Sequence, residues 1–76
     1  MTSDRLPSVS GEQMVGVFKK LGFSVSRQRG SHIVLSRGED ILVVPNHDPV
    51  AKGTARGLLR DAGITVVEFN RLLRGR

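Results

Sequence analysis

The sequence of 76 residues contains no cysteine, tryptophan or tyrosine and only three phenylalanines. Without cysteine it can form neither a disulfide nor a thiolate metal site. The few aromatic side chains fall in helix and strand patterns, which argues against a nucleic-acid surface built on base stacking. No apolar run approaches the roughly 20 residues that span a bilayer, and the N-terminus lacks the apolar core of a secretory signal. We therefore expect a soluble cytoplasmic protein with no membrane association.

Acidic residues are also scarce relative to basic ones, at seven against twelve, which leaves a formal charge of +5. Such a balance suggests an acidic partner, most often nucleic acid. Ordinary solubilising charge would give the same count. A chain of this length buries only about 60% of its unfolded surface, so a deep substrate cavity is not expected. Function should lie on a surface or in a shallow groove of one domain.

Periodicity predicts an α+β domain of order α-β-β-β-α-α. Capping boxes at Ser10–Gln13 and Thr65–Glu68 mark the starts of the first and last helices. Three runs that alternate with period two, joined by short turns, predict an antiparallel meander. Residues 1–9 show no periodicity and are predicted to be a flexible tail, with 10–76 as the single domain. The predicted segments are helix 11–21, strands 23–27, 31–37 and 40–44, and helices 53–62 and 66–73.

The third strand is apolar on both of its faces, which a half-exposed sheet does not require. One face should pack on the helices. The other should be covered by a neighbouring side chain, a second subunit or a protein partner.

Two histidines are the candidate chemical groups. His32 follows the turn residues Gly30 and Ser31 at the start of the second strand, and His47 lies in the loop after the third. Histidine can give and take protons near neutral pH. His32 could instead be a half-buried strand residue with a structural hydrogen bond, and His47 could fix its loop. A zinc site on both imidazoles and Asp48 lacks the usual ligand spacing, so we expect no metal and no cofactor.

Arginine and lysine supply the candidate anion-binding groups. Arg27 and Arg29 precede His32, while Lys52, Arg56 and Arg60 are spaced by four along the second helix. That stripe could contact phosphates or be an ordinary solvated face. Gly30 could provide a positive φ or a close phosphate approach, and Ser31 could orient a phosphate or satisfy the turn.

Three motifs together resemble the HicA (YcfA-like) family of bacterial toxin–antitoxin systems. They are the triplet Gly30-Ser31-His32, the segment Val44-Pro45-Asn46-His47, and the helix that begins Lys52-Gly53-Thr54. The resemblance covers about residues 10–73. It implies a fold like that of a double-stranded-RNA-binding domain (dsRBD), with a three-stranded sheet packed on helices.

The resemblance also implies an activity and a partner. HicA-like toxins are mRNA interferases, endoribonucleases that cleave messenger RNA independently of the ribosome, and their catalytic histidine corresponds to His32. A HicB-like antitoxin neutralises them, which leaves an oligomer formed through the antitoxin complex possible. His47 is then a possible second acid or base, and the basic residues above are candidates for RNA binding. Two alternatives stay open: a non-catalytic RNA-binding module of the same fold, and a domain that acts through protein contacts of its third strand.

Overall fold

The computed structural model of the protein describes residues 5–75. The three strands form one antiparallel sheet of order β1-β2-β3. This arrangement confirms the predicted α+β, dsRBD-like architecture. The elements are α1 (Gly11–Lys20), β1 (Ser24–Arg29), β2 (His32–Arg37), β3 (Asp40–Pro45), α2 (Lys52–Ala62) and α3 (Val66–Leu73).

Both predicted capping boxes begin a helix. At α1 the Ser10 hydroxyl accepts from the Gln13 amide, and the Ser10 amide donates to the Gln13 side chain at 2.9 Å. Thr65 and Glu68 make the reciprocal pair at α3. Each box satisfies amides that the first helical turn cannot pair internally. The helix starts are therefore determined by local hydrogen bonding.

The sheet has one buried and one open face. Its buried residues alternate along β2 and β3, and they pack with the helices into one hydrophobic core. Two further β3 residues point to the open face, where Ile41 is 64% exposed and Val43 is 46% exposed. No side chain within residues 5–75 buries them. The buried sheet residues are Ile33, Leu35, Leu42 and Val44.

The segment before α1 differs from the flexible tail that its composition predicted. Leu6 and Val9 are buried in the core at 1% and 3% exposure. The Val9 carbonyl accepts from the Val50 amide at 2.8 Å, and the Leu6 carbonyl accepts from the Lys52 ammonium group at 3.1 Å. Two isolated apolar residues show no periodicity, so their burial was invisible in the sequence. Residues 1–4 of the predicted tail, and residue 76, lie outside the described residues.

Candidate functional site

His32 is the first residue of β2 and lies on the open face of the sheet. Its neighbours in register are Arg29 on β1 and Pro45 on β3. Residues directly opposite one another in antiparallel strands have Cα atoms about 4.5–5.5 Å apart and share a face. The side chains of Arg29 and His32 therefore project from neighbouring positions on the same face. Proximity along the chain had already suggested this pairing, and the β1–β2 register provides it.

A shallow groove of about 500 Å³ joins the two histidines. The groove is bounded by the start of β2, the end of β3, the loop that follows and the start of α2. His32 and His47 therefore line the same groove, and a shared catalytic role for them stays a prediction. The lining residues are His32, Val43, Pro45, His47, Ala51 and Thr54.

Neither imidazole is engaged by the part of the chain that the structure describes. Both residues are exposed, and within residues 5–75 neither ring makes a hydrogen bond or ion pair. A structural hydrogen bond from His32, the alternative considered for this residue, is therefore not observed there. Loop fixing by His47 takes place through its backbone carbonyl, which accepts from the Gly11 amide at 2.8 Å. Both rings are left free to meet a ligand.

The backbone anchors the loop that carries His47 at three points. Next to the carbonyl of His47, which is held by Gly11, the Asn46 amide donates to the Ser31 carbonyl at 2.6 Å. Further along, the Val50 amide bonds to the segment before α1. The Ser31 contact extends the β2–β3 pairing by one step beyond Pro45, which has no amide to donate. The loop therefore holds His47 against the same end of the sheet as His32.

Gly11 is a positioning residue that sequence reasoning did not single out. A Cβ atom at this position would overlap the Pro45 carbonyl oxygen and would lie 2.9 Å from the Asn46 Cα. The start of α1 thus approaches the end of β3 more closely than any side chain would permit. A glycine directly after the capping residue Ser10 was the signal in the sequence, although it does not reveal what lies opposite.

The turn residues before His32 have mainly backbone roles. Gly30 has a φ of +56°, a conformation that glycine adopts without strain, and a Cβ there would meet nothing within 4 Å. Ser31 contributes the carbonyl that holds Asn46. The turn function considered for Gly30 is therefore observed, and phosphate contact by either residue stays a prediction.

Arg27 and Arg29 lie on the open face with His32. A bulge between Val25 and Arg27 shifts the register, which places Arg27 opposite Val34 and Arg29 opposite His32. Both arginines are exposed. Within the described chain neither forms an ion pair, since the salt bridge found there joins other residues. Both charges are available to an anion at this face.

The basic stripe on α2 is not brought to the groove. Thr54 lines the groove, and at 3.6 residues per turn Lys52 and Arg56 project about 160° away from it around the helix. Arg60 continues along the same side. Lys52 is also engaged, because its ammonium group donates to the Leu6 carbonyl. The predicted RNA-binding residues thus fall into two separate surfaces.

Thr54 and Val43 are groove residues that the sequence reasoning did not assign to the site. Val43 was recognisable as part of the second apolar face of β3. Thr54 belonged to the Lys52-Gly53-Thr54 motif of the family resemblance, but nothing in that motif assigned it to the site. Their contribution depends on the approach of α2 to the end of β3.

The described residues contain neither a metal-ligand cluster nor a membrane-spanning helix. No group of three or more His, Cys, Asp or Glu side chains within residues 5–75 is arranged to hold an ion. None of the helices in that range has the length and apolarity needed to cross a bilayer.

Together these features define a small basic α+β domain. Two imidazoles that have no partner within residues 5–75 line an open groove, and Arg29 is the neighbour of His32 in register. The family model described as HicA toxin of bacterial toxin–antitoxin matches residues 11–64. The chain belongs to this toxin family. The matched region runs from the start of α1 to just after α2, and so includes the groove. No curated protein matches the chain significantly.

Proposed function

We propose that this protein is an endoribonuclease toxin that cleaves messenger RNA without a metal ion, with His32 as its catalytic acid or base. One observation carries the proposal. An exposed imidazole without an internal partner among residues 5–75 lines a groove with a second imidazole, and Arg29 is its neighbour in register. Membership of the HicA toxin family supports the same activity.

The proposed reaction uses the nucleophile that RNA itself carries. One imidazole removes the proton of the 2′-hydroxyl, whose oxygen attacks the adjacent phosphorus. The bond from phosphorus to the 5′-oxygen breaks, and the second imidazole donates a proton to that oxygen. The products are a 2′,3′-cyclic phosphate and a 5′-hydroxyl. We assign His32 to one of these steps and His47 to the other, because they come from different elements and line the same groove.

The neighbouring arginines supply the positive charge that this reaction needs. The pentacoordinate phosphorane carries more negative charge than the substrate, so a nearby cation favours the transition state. The register of Arg29 with His32 supports this role for Arg29. Arg27, one step further along β1, would hold the adjacent backbone phosphate. Lys52, Arg56 and Arg60 would add only non-specific attraction, because they lie on the far side of α2.

The toxin family implies an antitoxin, and we propose a HicB-like protein as that partner. Ile41 and Val43 are large apolar side chains exposed on the open face of the sheet. Val43 lines the groove with His32, and Ile41 lies two residues before Val43 on the same strand. A partner that covered them would also cover the groove. Neutralisation would then be steric exclusion of RNA.

The decisive experiment is cleavage of a long RNA in EDTA, with the ends of the fragments identified. We expect fragments that end in cyclic phosphate, and a loss of rate of about a hundredfold or more for His32→Ala. Ile41→Thr, on the same face but outside the groove, is the control and should cut at the parent rate. Because His32 is exposed and its ring makes no hydrogen bond within residues 5–75, its truncation should change stability by no more than about 0.5 kcal/mol.

Three results would contradict the proposal. Cleavage that EDTA abolishes would exclude the metal-independent reaction. A folded His32→Ala protein that cuts at the parent rate would exclude His32 as the catalytic group. RNA binding without any cleavage would identify the protein as a non-catalytic RNA-binding module.

A further inference from the structure

The floor of the groove is apolar, although its walls carry the proposed catalytic groups. Val43 is 46% exposed and Pro45 is half-buried, and both line the groove with the two histidines. Acid–base chemistry on a phosphate makes no use of these two side chains. We infer that Val43 and Pro45 position the substrate by contacting the base of an unpaired nucleotide next to the scissile phosphate. This inference rests on the proposed function.

The composition of the groove matches one nucleotide. A nucleotide has an apolar face on its base and negative charge on its phosphate. The groove offers an apolar floor beside two imidazoles, and Arg29 flanks it. Its volume of about 500 Å³ lies in the range of sites that hold a single small ligand. The base would rest on Val43 and Pro45, and the phosphate would lie toward Arg29.

The nucleotide must be unpaired if its base is to contact the apolar floor while its phosphate lies beside the imidazoles. In an A-form duplex the bases are stacked, and only their edges and the 2′-hydroxyls reach the wide, shallow groove. Attack in line with the departing 5′-oxygen also requires a backbone rotation that the duplex resists. A flexible single strand can turn its base onto the apolar floor and at the same time align its 2′-oxygen with the departing 5′-oxygen. We therefore assign single-stranded RNA as the substrate, despite the dsRBD-like fold.

Charge favours RNA over a protein as the occupant of this floor. On the open face, Arg29 lies opposite His32 and Arg27 lies opposite Val34. None of the described residues that line the groove is acidic. An anionic polymer complements that arrangement. The more exposed Ile41 lies outside the groove, on the same strand and face. It provides a matched comparison, because RNA seated in the groove would not reach it.

The test measures RNA binding separately from cleavage. Fluorescence anisotropy would measure RNA affinity in the His32→Ala protein, which is expected not to cut. Two double variants, His32→Ala with Val43→Thr and His32→Ala with Ile41→Thr, would be compared with it. Threonine keeps the β-branched shape that strands favour and replaces one methyl group by a hydroxyl. The probes are a short single-stranded RNA, an abasic ribose–phosphate chain of equal length, and a blunt RNA duplex.

We expect Val43→Thr to weaken single-stranded RNA binding by about fourfold, the effect of one lost buried methyl-sized contact. Binding of the abasic chain and of the duplex should stay the same, and Ile41→Thr should leave all three affinities unchanged. Unchanged RNA binding by Val43→Thr would overturn the inference, as would equal weakening with the abasic chain or the duplex. Loss of antitoxin binding alone would identify the floor as a protein contact, which also overturns it. Failure of the proposed function appears separately, as absence of His32-dependent cleavage.

Discussion

Replacing Gly11 by alanine should disturb the candidate site through the backbone that carries Pro45 and His47. The added Cβ would overlap the Pro45 carbonyl oxygen and crowd Asn46, on the backbone that leads into the His47 loop. It would also strain the hydrogen bond from the Gly11 amide to the His47 carbonyl. Gly16, in the same helix, offers the matched control, because a Cβ there would meet nothing within 4 Å.

The two substitutions should have opposite signs. Alanine is favoured over glycine in a helix by about 1 kcal/mol, so Gly16→Ala should stabilise the fold by roughly 0.5–1 kcal/mol. At Gly11 the overlap should cost about 1–3 kcal/mol, and loss of the hydrogen bond about 1 kcal/mol more. These costs exceed any gain in helix propensity. The free energies of unfolding of the two variants should therefore differ by roughly 2–4 kcal/mol.

Thermal unfolding followed by circular dichroism measures this difference. In a domain of this size each kcal/mol moves the midpoint by about 4–8 °C, so we expect the two midpoints to separate by roughly 10–25 °C. A Gly11→Ala protein as stable as Gly16→Ala would refute the close approach of α1 to the end of β3. If Gly11→Ala remains folded, the rate of RNA cleavage then reports whether the position of His47 matters.

The remaining predictions concern charge, core packing and the partner. Arg29→Ala should reduce the salt dependence of single-stranded RNA binding by about 0.7 in log–log slope, one phosphate contact, whereas Arg56→Ala, on the surface away from the groove, should reduce it by less; equal effects would contradict the separation of the two surfaces. Leu6→Ala should destabilise the fold by about 2–5 kcal/mol in urea denaturation because the side chain is fully buried, and a cost near zero would show that the segment does not pack. Gly57→Ala should raise the midpoint of unfolding, since its Cβ would meet only the end of a flexible arginine at 3.8 Å; a lowered midpoint would reveal a packing role for this glycine. Diethyl pyrocarbonate should modify His32 more slowly in the complex with the antitoxin, and equal rates would contradict occlusion.

The arrangement of the groove explains why these tests address different parts of the molecule. His32 and Arg29 depend on the pairing of β1 with β2. The position of His47 depends on contacts with α1 and with the β1–β2 turn. Thr54 depends on where α2 begins.

The sequence by itself determined the elements of the fold and the face on which His32 lies. Capping boxes, and the helical and strand spacings of apolar residues, extend over only a few residues. The starts of α1 and α3 and the alternation of β2 therefore follow from local hydrogen bonding and burial. The Gly-Ser-His triplet with its companion motifs also identified the family that residues 11–64 match.

The tertiary structure decided which of the candidate residues share a site. His47 joins the groove because Gly11 allows two backbones to approach closely, and no local pattern encodes that contact. Lys52 lies away from the groove because the packing of α2 decides which of its sides faces β3. Leu6 is buried in the core, and its carbonyl accepts from Lys52, which lies more than forty residues further along the chain. Such long-range contacts depend on how the whole chain packs, which the spacing of residues along one segment does not record.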